Sequence, residues 1–353
     1  MRILDRYIAR TVVGGTGIAL LIILGLDIFF NIISESADLG RGNYRVPQLL
    51  QYIGMGIPES LVEFFPMAAL IGTLASLGLL ASGSELVVAR ASGLSVAGIL
   101  RPVLLAGFVM LVLVVLVGEL ITPFAKQHAQ RLRTGAIYEN VIQGQQGGLW
   151  LKEGNRFVNV GNVHAGGQFS DITIFEFDDN KQLKHVLHAE RLVFSDGLWF
   201  LYEISESGIE GDAVHSGYRQ KQVRDTLIPA EMLEIVITEP ENMPIMTLHQ
   251  YIGYMEDNQL DTSRYRYAFW LRVFSPLASL VMIFLAVTIV LGLFRHAGTG
   301  KRLFAGMLAG LVFYLLNQLL AHLVFLYGIS PVLSALGPAL FFLLSGMVIL
   351  RYT

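Results

Sequence analysis

Two groups of residues in this sequence could do chemistry: ionisable side chains set in or near long apolar runs, and a short charged segment between two of those runs. The segment GSELVVARASGLS, Gly83 to Ser95, puts Glu85 and Arg90 on a short helix with Leu86, Val87 and Val88 beside them. Apolar groups flanked by opposite charges at a membrane surface suit the docking of a soluble partner. They suit equally an interfacial helix lying on lipid headgroups, and spacing alone does not separate the two. Asp27, Glu63, Glu119 and Arg272 fall in or near the apolar runs, where an ionised group is costly and needs a reason. Asp27 is the deepest, and Arg272 is its expected partner across a helix bundle. After the third run, AKQHAQRLRTGAIY places Lys126, Arg131 and Arg133 just outside the membrane. Guanidinium groups there can grip phosphate through paired hydrogen bonds, or they can simply face water.

Enzyme and cofactor motifs are weak. In GTGKRL, Gly298 to Leu303, a Gly-Lys pair resembles a phosphate-binding loop, but Arg295 stands where the leading glycine belongs and Arg302 where Ser or Thr would hold magnesium. A basic membrane anchor is the simpler reading. The sequence holds neither HExxH nor GxSxG, and its 8 His are scattered, so His185 and His188 in the central region do not suggest a metal site. With 0 Cys, thiolate ligands, disulfides and a Cys nucleophile are excluded. No catalytic residue and no bound cofactor are therefore expected in this chain. A net charge of -3 argues against nucleic acid as a partner, since displacing counterions from phosphates takes a basic face.

The elements that position these residues are set by hydropathy. The 353 residues are 54% hydrophobic and 15% charged, a composition suited to a bilayer. Crossing the hydrocarbon takes roughly 20 apolar residues in a helix. Six stretches approach that length: about 11–33, 59–82, 102–121, 268–294, 303–327 and 330–350. The first is too long, and lacks the cleavage site, for a removable signal peptide. Gly306 and Gly310 form a GxxxG pair in the fifth, suited to close approach by another helix or to internal packing. The termini and the loops after the second and fourth stretches hold Arg2, Arg6, Arg10, Arg90, Arg101, Arg295, Lys301, Arg302 and Arg351 against only Asp5 and Glu85. That bias puts both termini in the cytoplasm.

Between the third and fourth stretches lies a polar insertion on the opposite face, long enough to be a domain. Its strand-like runs are Phe157–Val160, Asp171–Phe177, Arg191–Phe194, Leu198–Ile204 and Leu233–Ile237. Asp196-Gly197 is a hairpin signal between two of them. Short strands with turns between them imply a β-sandwich or jelly roll. The stretch from Thr247 to Phe269 reads as a helix returning to the membrane. The expected fold is thus a membrane α+β protein: residues 1–122 with three spans and a cytoplasmic helix at about 84–93, residues 123–267 as a β-sandwich or jelly-roll domain with its return helix, and residues 268–353 with three more spans.

Several segments resemble one known family. LDRYIARTV at the amino terminus, FFPMAALIG followed by LGLLASGSELVVARASG, GLW after the third span, and VFYLLNQL with LYGISP near the end are similar to lipopolysaccharide export permeases of the LptF/LptG type. The resemblance runs along essentially the whole chain. SELVVARASG is its most specific part, and GLW-x-K-x-G-x-x-F at Gly148 to Phe157 is nearer the G-type. It implies a bacterial inner-membrane permease with a periplasmic β-jellyroll, paired with an F-type paralogue and a bitopic LptC-type subunit. A cytoplasmic LptB-type ATPase dimer would bind ATP and magnesium. By the same resemblance Glu85, with Arg90, couples to that ATPase, Phe64 faces a lipid cavity, and Arg133 lies near the lipid headgroup. Where the family often has lysines at the outer end of the first span, this chain has Asn31, Ala37 and Asp38, so that either Arg41 or Arg131 replaces them or the lipid A carried is differently charged. A generic ABC-type lipid permease and a membrane-anchored periplasmic scaffold are the alternative functions.

Overall fold

The computed structural model describes residues 3–138, 141–143, 149–164, 168–178, 182–195, 198–210, 213–224, 240, 243–293 and 298–351. These gather into two compact units, one of Met1–Ser34, Ile53–Lys126 and Thr262–Thr353, the other of Glu35–Tyr52 and Gln127–Asp261. Among the described residues, 6 helical stretches are long and apolar enough to cross a membrane: Ile3–Ser36, Val46–Ser82, Val96–Ile137, Ser263–Gly292, Gly300–Val324 and Pro331–Arg351. They fall where hydropathy puts them, but several run well past the apolar core. Hydropathy registers only the part that meets hydrocarbon, whereas the helical backbone bonds continue into polar sequence.

The first unit is built from α1 (Ile3–Ser36), α2 (Val46–Ser82), α3 (Glu85–Ala91) and α4 (Val96–Leu116), and from the later spans α7 (Ser263–Thr288), α8 (Thr299–Tyr327) and α9 (Pro331–Arg351). Its core centres on α2, where Phe65, Leu70, Leu74 and Leu77 meet Ile8 and Val12 of α1, Ile99 and Val103 of α4, Met282 and Ile283 of α7 and Phe342 of α9. A π turn, Val117–Ile121, joins α4 to α5 (Thr122–Tyr138). Pro123 has no amide to offer the carbonyl of Glu119, which accounts for the widened turn just before it.

Apolar side chains gain little by leaving lipid for protein, so backbone proximity carries much of the helix association. A Cβ on Gly72 would fall on the backbone of Thr16, and one on Gly15 would strike Ser76, whose hydroxyl donates to the Thr11 carbonyl at 2.9 Å. Gly306 and Gly310 similarly receive Leu74 and Met67 of α2, so the GxxxG pair serves packing within the chain.

The second unit holds a seven-stranded antiparallel sheet: β1 (Val141–Gln143), β2 (Leu149–Glu153), β3 (Arg156–His164), β4 (Gln168–Phe177), β5 (Leu183–Ser195), β6 (Leu198–Glu210) and β7 (Ala213–Arg224). Strands β3 to β7 pair in chain order, and β1 and β2 both pair with β3. Ser195 pairs with Leu198, so β5 and β6 form the tight hairpin expected there. Asp196-Gly197 and the run Leu233–Ile237 lie outside the described residues.

A crease crosses this sheet. Gly161, Asp171, Glu190, Glu203 and Gln220, one from each of β3 to β7, drop out of the cross-strand pairing along one line. Asp171 and Glu203 take left-handed backbone, at φ 59° and 53°. Strict alternation would separate residues three apart onto opposite faces, yet Phe169 with Ile172, Ala189 with Leu192, and Leu201 with Ile204 all enter one buried cluster. Aligned irregularities of this kind bend every strand together. Glu176 and Arg224 belong to opposite ends of the sheet, rows about 30 Å apart along β6 if it were flat, yet Arg224 donates to Glu176 at 2.8 Å. The meander therefore folds over its crease and buries one face against itself.

The return segment is not one helix. The α6 helix (Ile245–Asp257) stops before α7, with Gln259 in left-handed backbone at φ 56° and the Leu260 amide bonded back to Met255 at 2.8 Å. Asn258 clamps β2, accepting from Lys152 Nζ at 2.8 Å and from the Gly154 amide at 3.2 Å.

Two outcomes check this architecture. Replacing Gly72 by Val costs about 1–3 kcal/mol by overpacking, read as a lower thermal unfolding midpoint of the detergent-purified chain, with Gly72→Ala intermediate. Burial raises the Glu176 carboxyl, but the hydrogen bond and charge of Arg224, with Arg156 and His185, outweigh it and hold the group below its ordinary range. The stability Glu176 contributes is therefore complete above its unfolded pKa and disappears as pH falls through the lowered folded one. Glu176→Gln destabilises the sheet by about 1–3 kcal/mol at neutral pH, a difference that closes on acidification when Trp199 fluorescence is followed.

Candidate functional site

The α3 helix is defined by its ends. Ser84 enters it in left-handed backbone without a side-chain cap, and Gly93 leaves it at φ 95°. The Gly93 amide bonds Arg90 at 3.0 Å and the Leu94 amide bonds Ala89 at 3.1 Å, a glycine-terminated helix end. Ser95 then caps α4, accepting from the Gly98 amide at 3.2 Å. Leu86 is buried in the core, whereas Val87 and Val88 are 62% and 66% exposed. One face thus anchors the helix while apolar groups and the exposed Glu85 remain outward. Tyr7 of α1 directs its hydroxyl at the Glu85 carboxylate, and Arg90 lies in the last turn.

Within the first unit Asp27, Glu119 and Arg272 find partners, though not the expected ones, whereas Glu63 of α2 makes no ion pair among the described residues. Asp27 accepts a hydrogen bond from Ser60 at 2.6 Å, while Arg272 pairs with Glu119 at 3.5 Å. The expectation of an Asp27–Arg272 pair is corrected accordingly: the π turn carries Glu119 to the arginine. Lys126 pairs with Glu59. Arg302 is not a simple anchor either, since it is 3% exposed and donates to the Gly78 carbonyl at 3.2 Å. Phe64 is half-buried on α2, and Asn31 is exposed on α1.

In the second unit Arg133 is held by two carboxylates. Its Nε donates to Glu35 at 2.9 Å, its Nη2 to Asp38 at 2.5 Å, and its guanidinium lies 5.7 Å from the centre of the Tyr52 ring. Arg41 shares Asp38 at 2.6 Å, so two arginines and two carboxylates form one neutral network. Tyr44 is buried beneath it with its hydroxyl 3.4 Å from Glu35. Burial and then the Glu35 carboxylate push its phenol up to about 12, with Arg133 opposing.

The loop reaches α5 through its backbone. The Asn43 amide donates to Ala136 at 2.7 Å, and a Cβ on Gly42 would meet the Ala136 and Ile137 carbonyls at 2.6 Å. Of the cations singled out from sequence, Arg41 and Arg133 are thus brought together, while Arg131 is exposed and makes no ion pair among the described residues. Sequence reasoning missed Glu35 and Tyr44 and took Asp38 only as a missing lysine. The one signal available was a pair of acids ending an apolar helix opposite an arginine-rich one.

Comparison with known proteins covers all of these elements. Residues 6–352 match the family described as lipopolysaccharide export system permease LptF/LptG. The chain is 31% identical over 353 residues to lipopolysaccharide export system permease protein LptG of Escherichia coli strain K12, covering 99% of this chain and 98% of that protein. It is 31% identical over 342 residues to the protein of that name from Haemophilus influenzae, covering 96% of each.

The network makes a separate prediction. Arg133→Gln leaves Glu35 and Asp38 facing each other and lowers stability by about 1–3 kcal/mol, measured by thermal unfolding. Arg133→Lys keeps the charge but not the two-pronged geometry and falls between the two.

Proposed function

This chain belongs to the LptF/LptG family of lipopolysaccharide export system permeases, and we propose that it is the G-type subunit of an ABC-type exporter. In this reading it takes lipopolysaccharide from the outer leaflet of the inner membrane and passes it to a periplasmic bridge. The observation that carries the proposal is similarity along nearly the full length of two LptG proteins, spans and inserted sheet included. The chain acts without catalysis of its own, as a multi-pass membrane protein. ATP and magnesium are bound by a cytoplasmic ATPase dimer, and an F-type permease and a bitopic LptC-type subunit complete the assembly. Both termini are cytoplasmic, and the creased sheet is periplasmic.

Physical chemistry assigns the parts. Glu85 with Val87 and Val88 offers an acid beside exposed apolar groups, suited to a docking partner. Short connections from α3 to α2 and α4 pass its displacement directly into two spans. The acyl chains need an apolar wall, and the first and fifth spans are the least covered, with 17% and 11% of their most apolar window buried. Phe64 of α2 adds an aromatic surface to that wall, and exposed Asn31 sits near the end of the first span. Phosphates need cations. Arg41, 65% exposed at its side chain, and Arg131 supply them, while Arg133 positions the loop that carries Arg41.

In the purified complex, Glu85→Ala reduces ATPase docking or uncouples hydrolysis from lipid extraction by tenfold or more, on the order of 1.4 kcal/mol of coupling. Undiminished export overturns the coupling role. A photocrosslinker at Phe64 gives a lipid adduct if the chain moves lipid, and none if it is a periplasmic scaffold.

A further inference from the structure

The sheet carries a row of polar, basic and aromatic side chains across five strands. Asn162, Ser170, Arg191, Tyr202 and Lys221 are successive cross-strand partners on β3 to β7. On β5 and β6 the neighbouring Leu192 and Leu201 enter the buried cluster, so Arg191 and Tyr202 point to the opposite, outer face. The Arg191 guanidinium lies 4.8 Å from the centre of the Tyr202 ring. Lys221 Nζ lies 5.4 Å from the same ring and 4.6 Å from that of Phe200.

Both cations are exposed, and neither has a carboxylate within ion-pair distance among the described residues. This is so although Glu190 precedes Arg191 and Glu203 follows Tyr202. Elsewhere on the sheet Arg156 and Arg224 pair with Glu176, and Arg219 pairs with Glu206. Two like charges gathered on one aromatic ring repel each other, and an anion placed over them removes that repulsion.

We propose that this outer row binds an anionic saccharide. A phosphate or carboxylate on a sugar meets Arg191 in a two-pronged contact and Lys221 as a point charge. The apolar C–H face of the sugar ring rests on Phe200 and Tyr202, and Asn162 and Ser170 continue the row with groups suited to hydroxyls. Five strands span about 19 Å, which fits a chain of sugars better than a single inorganic ion. The source of the saccharide is the polysaccharide portion of the exported lipid, so this inference rests on the export reading above.

The test titrates the full-length chain in detergent with deacylated, phosphorylated core oligosaccharide, and in parallel with the same oligosaccharide after dephosphorylation. Calorimetry on the unmodified chain gives saturable binding that weakens with salt and is at least tenfold weaker for the dephosphorylated probe. Arg191→Gln/Lys221→Gln loses at least tenfold. Circular dichroism of each variant confirms that the sheet is folded, and Arg191→Lys/Lys221→Arg supplies a second reading that preserves charge and retains binding. Absence of binding to the unmodified chain, equal affinity for both probes, or unchanged affinity in the folded Gln double variant overturns the proposal. A lipid adduct at Phe64 together with no oligosaccharide binding refutes this site alone and leaves the permease reading standing.

Discussion

Charge inside or beside a hydrocarbon layer must be neutralised by the protein, because no water is there to do it. The helical part of this molecule follows from that constraint. Asp27 takes the Ser60 hydroxyl, Glu119 meets Arg272, Lys126 meets Glu59, and Arg302 reaches the backbone carbonyl of Gly78. Each contact joins different helices, so groups that would be liabilities singly act as ties between spans. The Glu119 tie also depends on a widened turn that follows from Pro123.

Neutralisation also sorts the basic residues into roles. Arg133 is the cation that a reading by family position favours for lipid phosphate, yet two carboxylates occupy its guanidinium. Their charge already neutralises it. Arg41 keeps most of its side chain in the open although it shares Asp38, and Arg131 is exposed. Asp38 closes the cluster into a tie that holds a loop against α5.

The sheet solves a different problem. A single meander has two faces and cannot bury one without help. Here the help is internal, since one residue in each of five strands leaves the ladder along the same line and the two halves fold onto each other. Glu176 then closes the fold by meeting Arg156 beside it and Arg224 across the turned-over half. The short strands anticipated from sequence thus form one consecutively paired meander, bent along a crease.

Taken alone, the sequence determined the six spans, the inserted strand-rich region, the β5–β6 hairpin and the exposed acid of α3, because each is encoded within a dozen or two neighbouring residues by hydropathy, alternation or turn chemistry. Tertiary structure decided what depended on residues far apart in the chain. It paired Arg272 with Glu119 instead of Asp27, buried Arg302, set Gly72 against Thr16, and enclosed Arg133 between Glu35 and Asp38. It also lined up Asp171, Glu190 and Glu203 into one crease, although nothing local distinguishes them from other surface acids. The physical reason is common to all of these: charge partners and close backbone contacts are chosen by which helix faces and strand registers meet, and that is a property of the packed chain.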